Sequence, residues 1–217
     1  MMKQEMTEIK KIARIAGMWY LADIVILVFS YMFVDAKLLV SGDTAASFAN
    51  IIENMPLFYA GSAAFVIGYF CTSMAAIMLM KLLKPINSIL AVLMPILLMI
   101  GVAVVLVGKT LEVYGVVTQN ANLIAMRENI DMSAEILWGL WLLPLGLLII
   151  KSELIAKIVG WLLLIACLSH LAAFGIYFFA PDKFASFETV IFAAGIGEFV
   201  LVGWLLVKGV RAEKGDN

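Results

Sequence analysis

SILAVLMPILLMIGVAVVLVG, residues 88–108, runs without a single charged side chain. At ~1.5 Å rise per residue a helix of that length covers about 31 Å, the thickness of a bilayer's hydrocarbon core. A helix at a water-exposed surface needs a polar face, and this stretch has none. Windows of about 19 residues find five more stretches of the same kind, near 12–34, 55–80, 132–150, 157–180 and 188–208. The fold class read from them is all-α: a polytopic transmembrane helix bundle of six spans. Residues 1–217 read as a single integral membrane domain, because the spans leave no room for a separate folded domain of ~100 residues. Composition agrees, with 64% hydrophobic and 14% charged residues against about 45–50% and about 25% in ordinary soluble domains. A soluble globular protein is excluded. Fifteen Lys plus Arg against 16 Asp plus Glu leave no basic surface for a nucleic acid partner. Cys71 and Cys167 both fall inside apolar segments, so no extracellular disulfide framework is implied.

Orientation follows from the cations. Lys3, Lys10, Lys11, Arg14, Lys81, Lys84, Lys151, Lys157, Lys208, Arg211 and Lys214 fall on one side of the spans, and Lys37, Lys109, Arg127 and Lys183 on the other. The positive-inside rule makes the richer side cytoplasmic and places both termini there, as six spans require. The first span is too long for a signal-peptide core and no small-residue cleavage pattern follows it, so it reads as a retained helix. The inner hairpins KLLKPIN, 81–87, and KSELIAK, 151–157, are short and should hold spans two and three, and four and five, as antiparallel neighbours. The outer connections are longer and carry Asp35, Asp43, Glu53, Glu112, Glu128 and Asp131. Within them GDTAASFANIIE, 42–53, has Asp43 as an N-cap and Ala45, Phe48, Ile51 and Ile52 at helical spacing. Two readings stay open, a helix lying flat in the outer interface and an ordered loop. No internal repeat of transporter type aligns between the halves.

Ala60, Ala64, Gly68, Thr72 and Ala76 form a ridge of small residues at i+4 spacing on span two. Helices in lipid associate where small side chains let backbones approach, so this ridge should be a buried contact. Pro95 and Pro144 each remove a backbone donor and should kink spans three and four.

Three titratable groups fall at membrane depth: Asp23 in span one, His170 in span five and Glu198 in span six. Asp23 and Glu198 lie roughly 15 Å from the inner ends, near the midplane. Insertion survives this. Eleven Ile, Leu, Val and Phe residues in span one supply roughly 3–6 kcal/mol against about 3 kcal/mol for Asp23. Each carboxyl must then face the bundle interior and be paired or neutral there. Tyr20, Asp23 and Ser30 at i−3, i and i+7 make one face of span one polar, and His170 is the single histidine available as a partner. Glu198, Asp23, His170, Tyr20 and Ser30 are the candidates for a ligand-binding or proton site. The opposing reading is a hydrogen-bonded network that only fixes helix register. Cys71, Met74 and Met78, with Cys167 one turn before His170, have the softness for Cu(I), but methionine is also an ordinary core filler. No metal site is assigned and no cofactor is indicated. HExxH, GxSxG, a glycine-rich phosphate loop and CxxC are all missing, so no catalytic residue can be named.

ARIAGMWYL at 13–21, GDTAASFANI at 42–51, KLLKPIN at 81–87, GLWLLPLGLLIIKSELIAKIVGWLLLIA at 139–166 and IGEFVLVGWLLVKGV at 196–210 together resemble the prokaryotic membrane family catalogued as domain of unknown function 4386. The resemblance covers nearly the whole chain in order. It implies a multi-span protein of a prokaryotic plasma membrane and brings no activity, substrate or cofactor with it. Glu198 matches the family's closing IGE-type motif and Asp43 its GD motif. Asp23 and His170 stand where the family pattern does not call for them, and Trp141 stands where it calls for a histidine.

The leading functional expectation is a non-enzymatic membrane protein, a small transporter or a sensor, with Glu198 and Asp23 as polar anchors in an interior cavity. The alternatives are an intramembrane enzyme acting on a lipid or isoprenoid, with the same carboxylates as acid and base, and a structural partner subunit. Expected partners are membrane lipid, a small hydrophobic ligand and a second copy of the chain.

Overall fold

Lys109, Glu112, Arg127 and Asp131 are the charges at which a hydropathy window ends the third span and delays the fourth. The helices nonetheless run on through them. A computed structural model describes residues 2–211; Lys214 and the side chain of Lys3, counted above with the cations of one side, lie outside the described residues. Helix α1 (Met2–Val28) passes into a π-helical segment (Phe29–Asp35) and a short turn α2 (Ala36–Leu38). There follow α3 (Thr44–Glu53), α4 (Met55–Leu83), α5 (Ser88–Val117), α6 (Ala121–Lys151), α7 (Lys157–Phe179), α8 (Pro181–Ala194) and α9 (Ile196–Val207), with no strand among the described residues.

Six segments are long and apolar enough to span a membrane: Met6–Leu38, Met55–Leu83, Ser88–Val117, Ala121–Lys151, Lys157–Phe179 and Thr189–Val207. The third therefore ends at 117 rather than 108, and the fourth starts at 121 rather than 132. The expected long connection between them shrinks to 118–120, closed by the Asn120 side chain accepting from the Asn122 amide at 3.2 Å. Those charges cost a span its helix only if they are unpaired, and here they pair with one another.

Each span packs on its neighbours in the chain: α1 on α4, α4 on α5, α5 on α6, α6 on α7 and α7 on α9, with α9 returning to α1. The short hairpins thus hold antiparallel neighbours as expected. From α6, Trp138 and Trp141 reach side chains of two other spans. Trp138 stacks on Tyr69 of α4 at 5.5 Å between centroids, and Trp141 meets Tyr20 of α1 at 6.2 Å. At one end of the bundle the Arg211 amide donates to the Leu154 carbonyl of the 151–157 hairpin at 2.8 Å. At the opposite end α3 is a helix, capped by the Asp43 side chain accepting from the Ala46 amide at 2.9 Å. Its Phe48 and Ile51 pack with Val34, Leu38, Phe58, Val116 and Ile124, so the 42–53 segment is fastened to the bundle.

The small-residue ridge of span two is buried only in part. Gly68, Thr72 and Ala76 are buried, Ala64 is half-buried and Ala60 is exposed. Toward that end the contact passes to Gly61, against which Val34 packs, because the π segment adds residues to the turn and rotates α1. Pro95 and Pro144 both lie inside continuous helices; helical form changes at Phe29–Asp35 and at Gly195, between α8 and α9. The closest backbone approaches also lie elsewhere. A Cβ on Gly160 would sit 2.7 Å from the Gly146 carbonyl oxygen, and one on Gly197 would sit 2.6 Å from the Leu162 carbonyl oxygen. Neither backbone atom can step aside as a side-chain tip does.

Gly160→Ala should therefore lower the melting temperature in detergent, by overpacking of about 1–3 kcal/mol. Gly203→Ala, where a Cβ meets nothing within 4 Å, should leave it unchanged or raised, since alanine is the better helix former. Equal melting of the two variants would mean that α6 and α7 do not touch at their backbones.

Candidate functional site

Polar side chains gather in two layers, one near the middle of the spans and one at the α3 end. In the first, the Tyr20 hydroxyl of α1 donates to Oε2 of Glu198 on α9. Glu198 Oε1 lies 3.5 Å from Nε2 of His170 on α7, and His170 Nδ1 lies 2.6 Å from Oε2 of Glu135 on α6. One chain of contacts thus crosses four spans. Its acids outnumber its single imidazole, so a proton has more than one carboxylate to occupy. Gly197 sets the position of Glu198: its missing side chain lets α9 lie on the α7 backbone at Leu162, which brings the next residue within reach of His170.

Asp23 shares the layer but not the chain. It is 5% exposed and accepts from the Thr72 hydroxyl of α4 at 2.6 Å. Ser30 is not part of the site; it donates to the Gly61 carbonyl at 3.1 Å and serves the contact of the π segment with α4. Trp141, at the position where the family calls for a histidine, is buried against Tyr20. Of the five candidates, then, Tyr20, His170 and Glu198 are joined, Asp23 is adjacent with a separate partner, and Ser30 is elsewhere. The sequence reading missed Glu135. Starting the fourth span at 132 made Glu135 an edge residue, whereas in α6, which runs Ala121–Lys151, it falls one residue from the midpoint. Glu135 and His170 each keep 23% side-chain exposure and Glu198 24%, so these three are half-buried while Tyr20 is buried.

The second layer was read as loop charge and is a buried network. Arg127 of α6 donates through Nη1 to Glu112 Oε1 of α5 at 2.9 Å and through Nη2 to Asp35 Oδ2 of the π segment at 2.7 Å. Its Nε lies 3.3 Å from Asp131 Oδ2. Lys109 pairs with Glu112 at 2.5 Å and sits 4.0 Å from Asp35. Both cations lie over the Phe65 ring of α4, at 4.8 Å for Lys109 and 5.2 Å for Arg127, which supplies further attraction where water is excluded. Lys109, Glu112 and Arg127 are each less than 5% exposed. A signal was available in the sequence: Lys109 and Glu112 stand at i, i+3, and Arg127 and Asp131 at i, i+4, the spacings at which opposite charges pair on a helix.

Among the described residues no group of three His, Cys, Asp or Glu side chains is placed to hold a metal ion, and Cys71 and Cys167 are buried and free. An open cavity of about 590 Å³ lies at the α3 end, lined in part by Tyr31, Asp35, Arg127 and Asp131. Tyr20, Asp23, Glu135, His170 and Glu198 are not among its lining residues. A family model described as Domain of unknown function (DUF4386) matches residues 15–209. No curated protein and no solved structure matches the chain.

Arg127→Met would strip three carboxylates of one partner inside the bundle, a loss of about 3–5 kcal/mol by analogy with other buried ion pairs. Tyr20→Phe would remove one hydrogen bond, about 1 kcal/mol. Chemical unfolding in detergent should rank the two variants in that order; equal losses would show that the Arg127 network contributes no more than a single hydrogen bond.

Proposed function

We propose a function for a chain that belongs to the DUF4386 family: a small transporter or sensor, without catalysis, that works by exchanging a proton at Glu198. The observation that carries this reading is the Tyr20–Glu198–His170–Glu135 chain at midspan. Ionisable residues at membrane depth are costly and tend to persist where they serve a function. An imidazole between two carboxylates can accept a proton at one nitrogen and release one from the other. A proton that leaves Glu198 for His170 changes what holds α9 to α7, and the break at Gly195 frees α9 to shift relative to α8. Binding or release of one proton thereby becomes a change of helix packing, which is what a coupled transporter or a sensor needs. The residual exposure of Glu135, His170 and Glu198 gives a proton or a small hydrophobic ligand a way in. Placement in a prokaryotic plasma membrane with both termini cytoplasmic belongs to the same proposal and is supported by the uneven split of Lys and Arg.

Trp141 against Tyr20 gives an optical reporter of the site. Tryptophan emission of the protein in lipid nanodiscs should shift reversibly between roughly pH 5 and pH 9. Glu198→Gln, which keeps the shape and most hydrogen bonds of the protonated acid, should melt close to wild type and lose that shift. The same shift in wild type and variant, or no shift in either, would refute proton exchange at Glu198.

A further inference from the structure

The seam between α6 and α7 is built from two unlike halves. Glu128, Glu135, Gly139 and Gly146 recur at spacings of seven, four and seven residues, which puts them in one line along α6. At Gly139 and Gly146 the helices touch through their backbones: an added Cβ would lie 2.9 Å from the Cys167 carbonyl oxygen at the first and 2.9 Å from the Gly160 carbonyl oxygen at the second. Toward the α3 end the same line meets α7 through the tips of long side chains. His170 reaches Glu135 at 2.6 Å. Two turns further out, the Tyr177 hydroxyl lies 3.2 Å from Asn129 Oδ1 and 3.4 Å from Glu128 Oε1. Backbones held apart by a pair of extended side chains leave room between them that glycine contacts do not. Exposure follows the same gradient: Glu128 and Asn129 are exposed, Glu135 and His170 are half-buried, and Gly139, Cys167, Gly146 and Gly160 are buried. Hydrocarbon is a poor filling for a groove lined by two carboxylates, an amide, a phenol and an imidazole, because each would lose its solvation there. We propose that the α3-end half of this seam is a water-filled entrance through which protons reach the midspan chain from that side of the membrane alone. Tyr177, Asn129 and Glu128 stand at its mouth, and the glycine contacts close it below. The inference rests on the proton-exchange reading above and adds the side from which the proton comes. From Glu128 to Glu135 is roughly 10 Å along the helix, more than one hydrogen bond, so water carries the proton between them.

Thiol labelling of the full chain in sealed proteoliposomes tests the route. Wild type supplies the background, since Cys71 and Cys167 are buried. Ser41→Cys, in the turn before α3, and Glu153→Cys, in the 151–157 hairpin, are at exposed positions and mark the two sides. Phe174 stands four residues from His170 and three from Tyr177 on α7, between the two cross-helix contacts, whereas Leu164 packs on Gly146 in the closed half. A charged, membrane-impermeant methanethiosulfonate should modify Phe174→Cys from the Ser41 side at least about tenfold faster than from the Glu153 side. Leu164→Cys should react from neither. A second measurement needs no substitution: with nitrogen-15 in histidine alone, solid-state magnetic resonance should show magnetisation passing to the His170 ring from water and not from lipid chains. Equal modification of Phe174→Cys from both sides, its modification only by an uncharged, lipid-soluble maleimide, labelling of Leu164→Cys from the Glu153 side, or transfer from lipid in place of water would overturn the proposal. The two readings fail separately. Tryptophan emission silent to pH, with labelling as expected, would refute exchange at Glu198 and leave the entrance standing; an intact emission shift with no labelling of Phe174→Cys from either side would refute the entrance alone.

Discussion

Arg127 is the side chain on which the α3 end of the molecule depends. A guanidinium buried among hydrophobic helices is affordable only with its charge matched and its donors used, and the matching groups come from two other spans. Glu112 arrives from α5 and Asp35 from the π segment of the first span, while Phe65 of α4 puts its ring beneath the charge. Four spans are thereby fixed against one another at one level. Because the network satisfies itself, α5 and α6 continue as helices past charges that would otherwise end them, at lengths of 30 and 31 residues. At ~1.5 Å per residue each is about 45 Å long and overshoots a ~30 Å hydrocarbon core.

The π segment fits the same constraint. An α-helix running unbroken through Phe29–Asp35 would carry Asp35 around the helix relative to Asp23, whereas the wider turn holds both on the side that faces the bundle. Tyr31, in that segment, meets Tyr69 at 3.0 Å between hydroxyls and lies 5.5 Å beneath Arg127. Tyr69 in turn stacks on Trp138 and is within electrostatic reach of both Asp131 and Asp23. Side chains with polar tips and aromatic bodies thus fill the space between the two layers. π-helical turns recur at functional sites for this kind of reason, that they aim side chains which a regular helix cannot.

The six spans, the antiparallel hairpins, the Asp43 cap and the depth of Asp23, His170 and Glu198 were legible in the sequence because hydropathy, caps and helical rise are local properties. The ends of the third and fourth spans were not, because a window sums Lys109 and Glu112 as two polar residues and cannot see that they cancel. Glu135 was lost to the same error, since its depth depends on where α6 begins. Ser30 shares the α4-facing side of the first span with Asp23 and stands apart from the cluster because it lies two turns further along the helix. The tightest contacts, at Gly146 with Gly160 and at Gly197 with Leu162, depend on which helices meet, and no periodicity within one helix reports that. The family match confirms the chain's kinship over residues 15–209 and adds no chemistry, so the working site rests on geometry.

The bridge made by His170 is the point at which the account is most exposed, and the chain makes it easy to observe, because His170 is its only histidine. Solid-state nuclear magnetic resonance of protein labelled with nitrogen-15 in histidine alone therefore reads one ring without ambiguity. With Glu135 on Nδ1 and Glu198 on Nε2, Glu135→Gln should move the Nδ1 resonance far more than Nε2, and Glu198→Gln should do the reverse. Two variants that leave both resonances where they stand in the wild type would contradict the bridge and the proton exchange built on it.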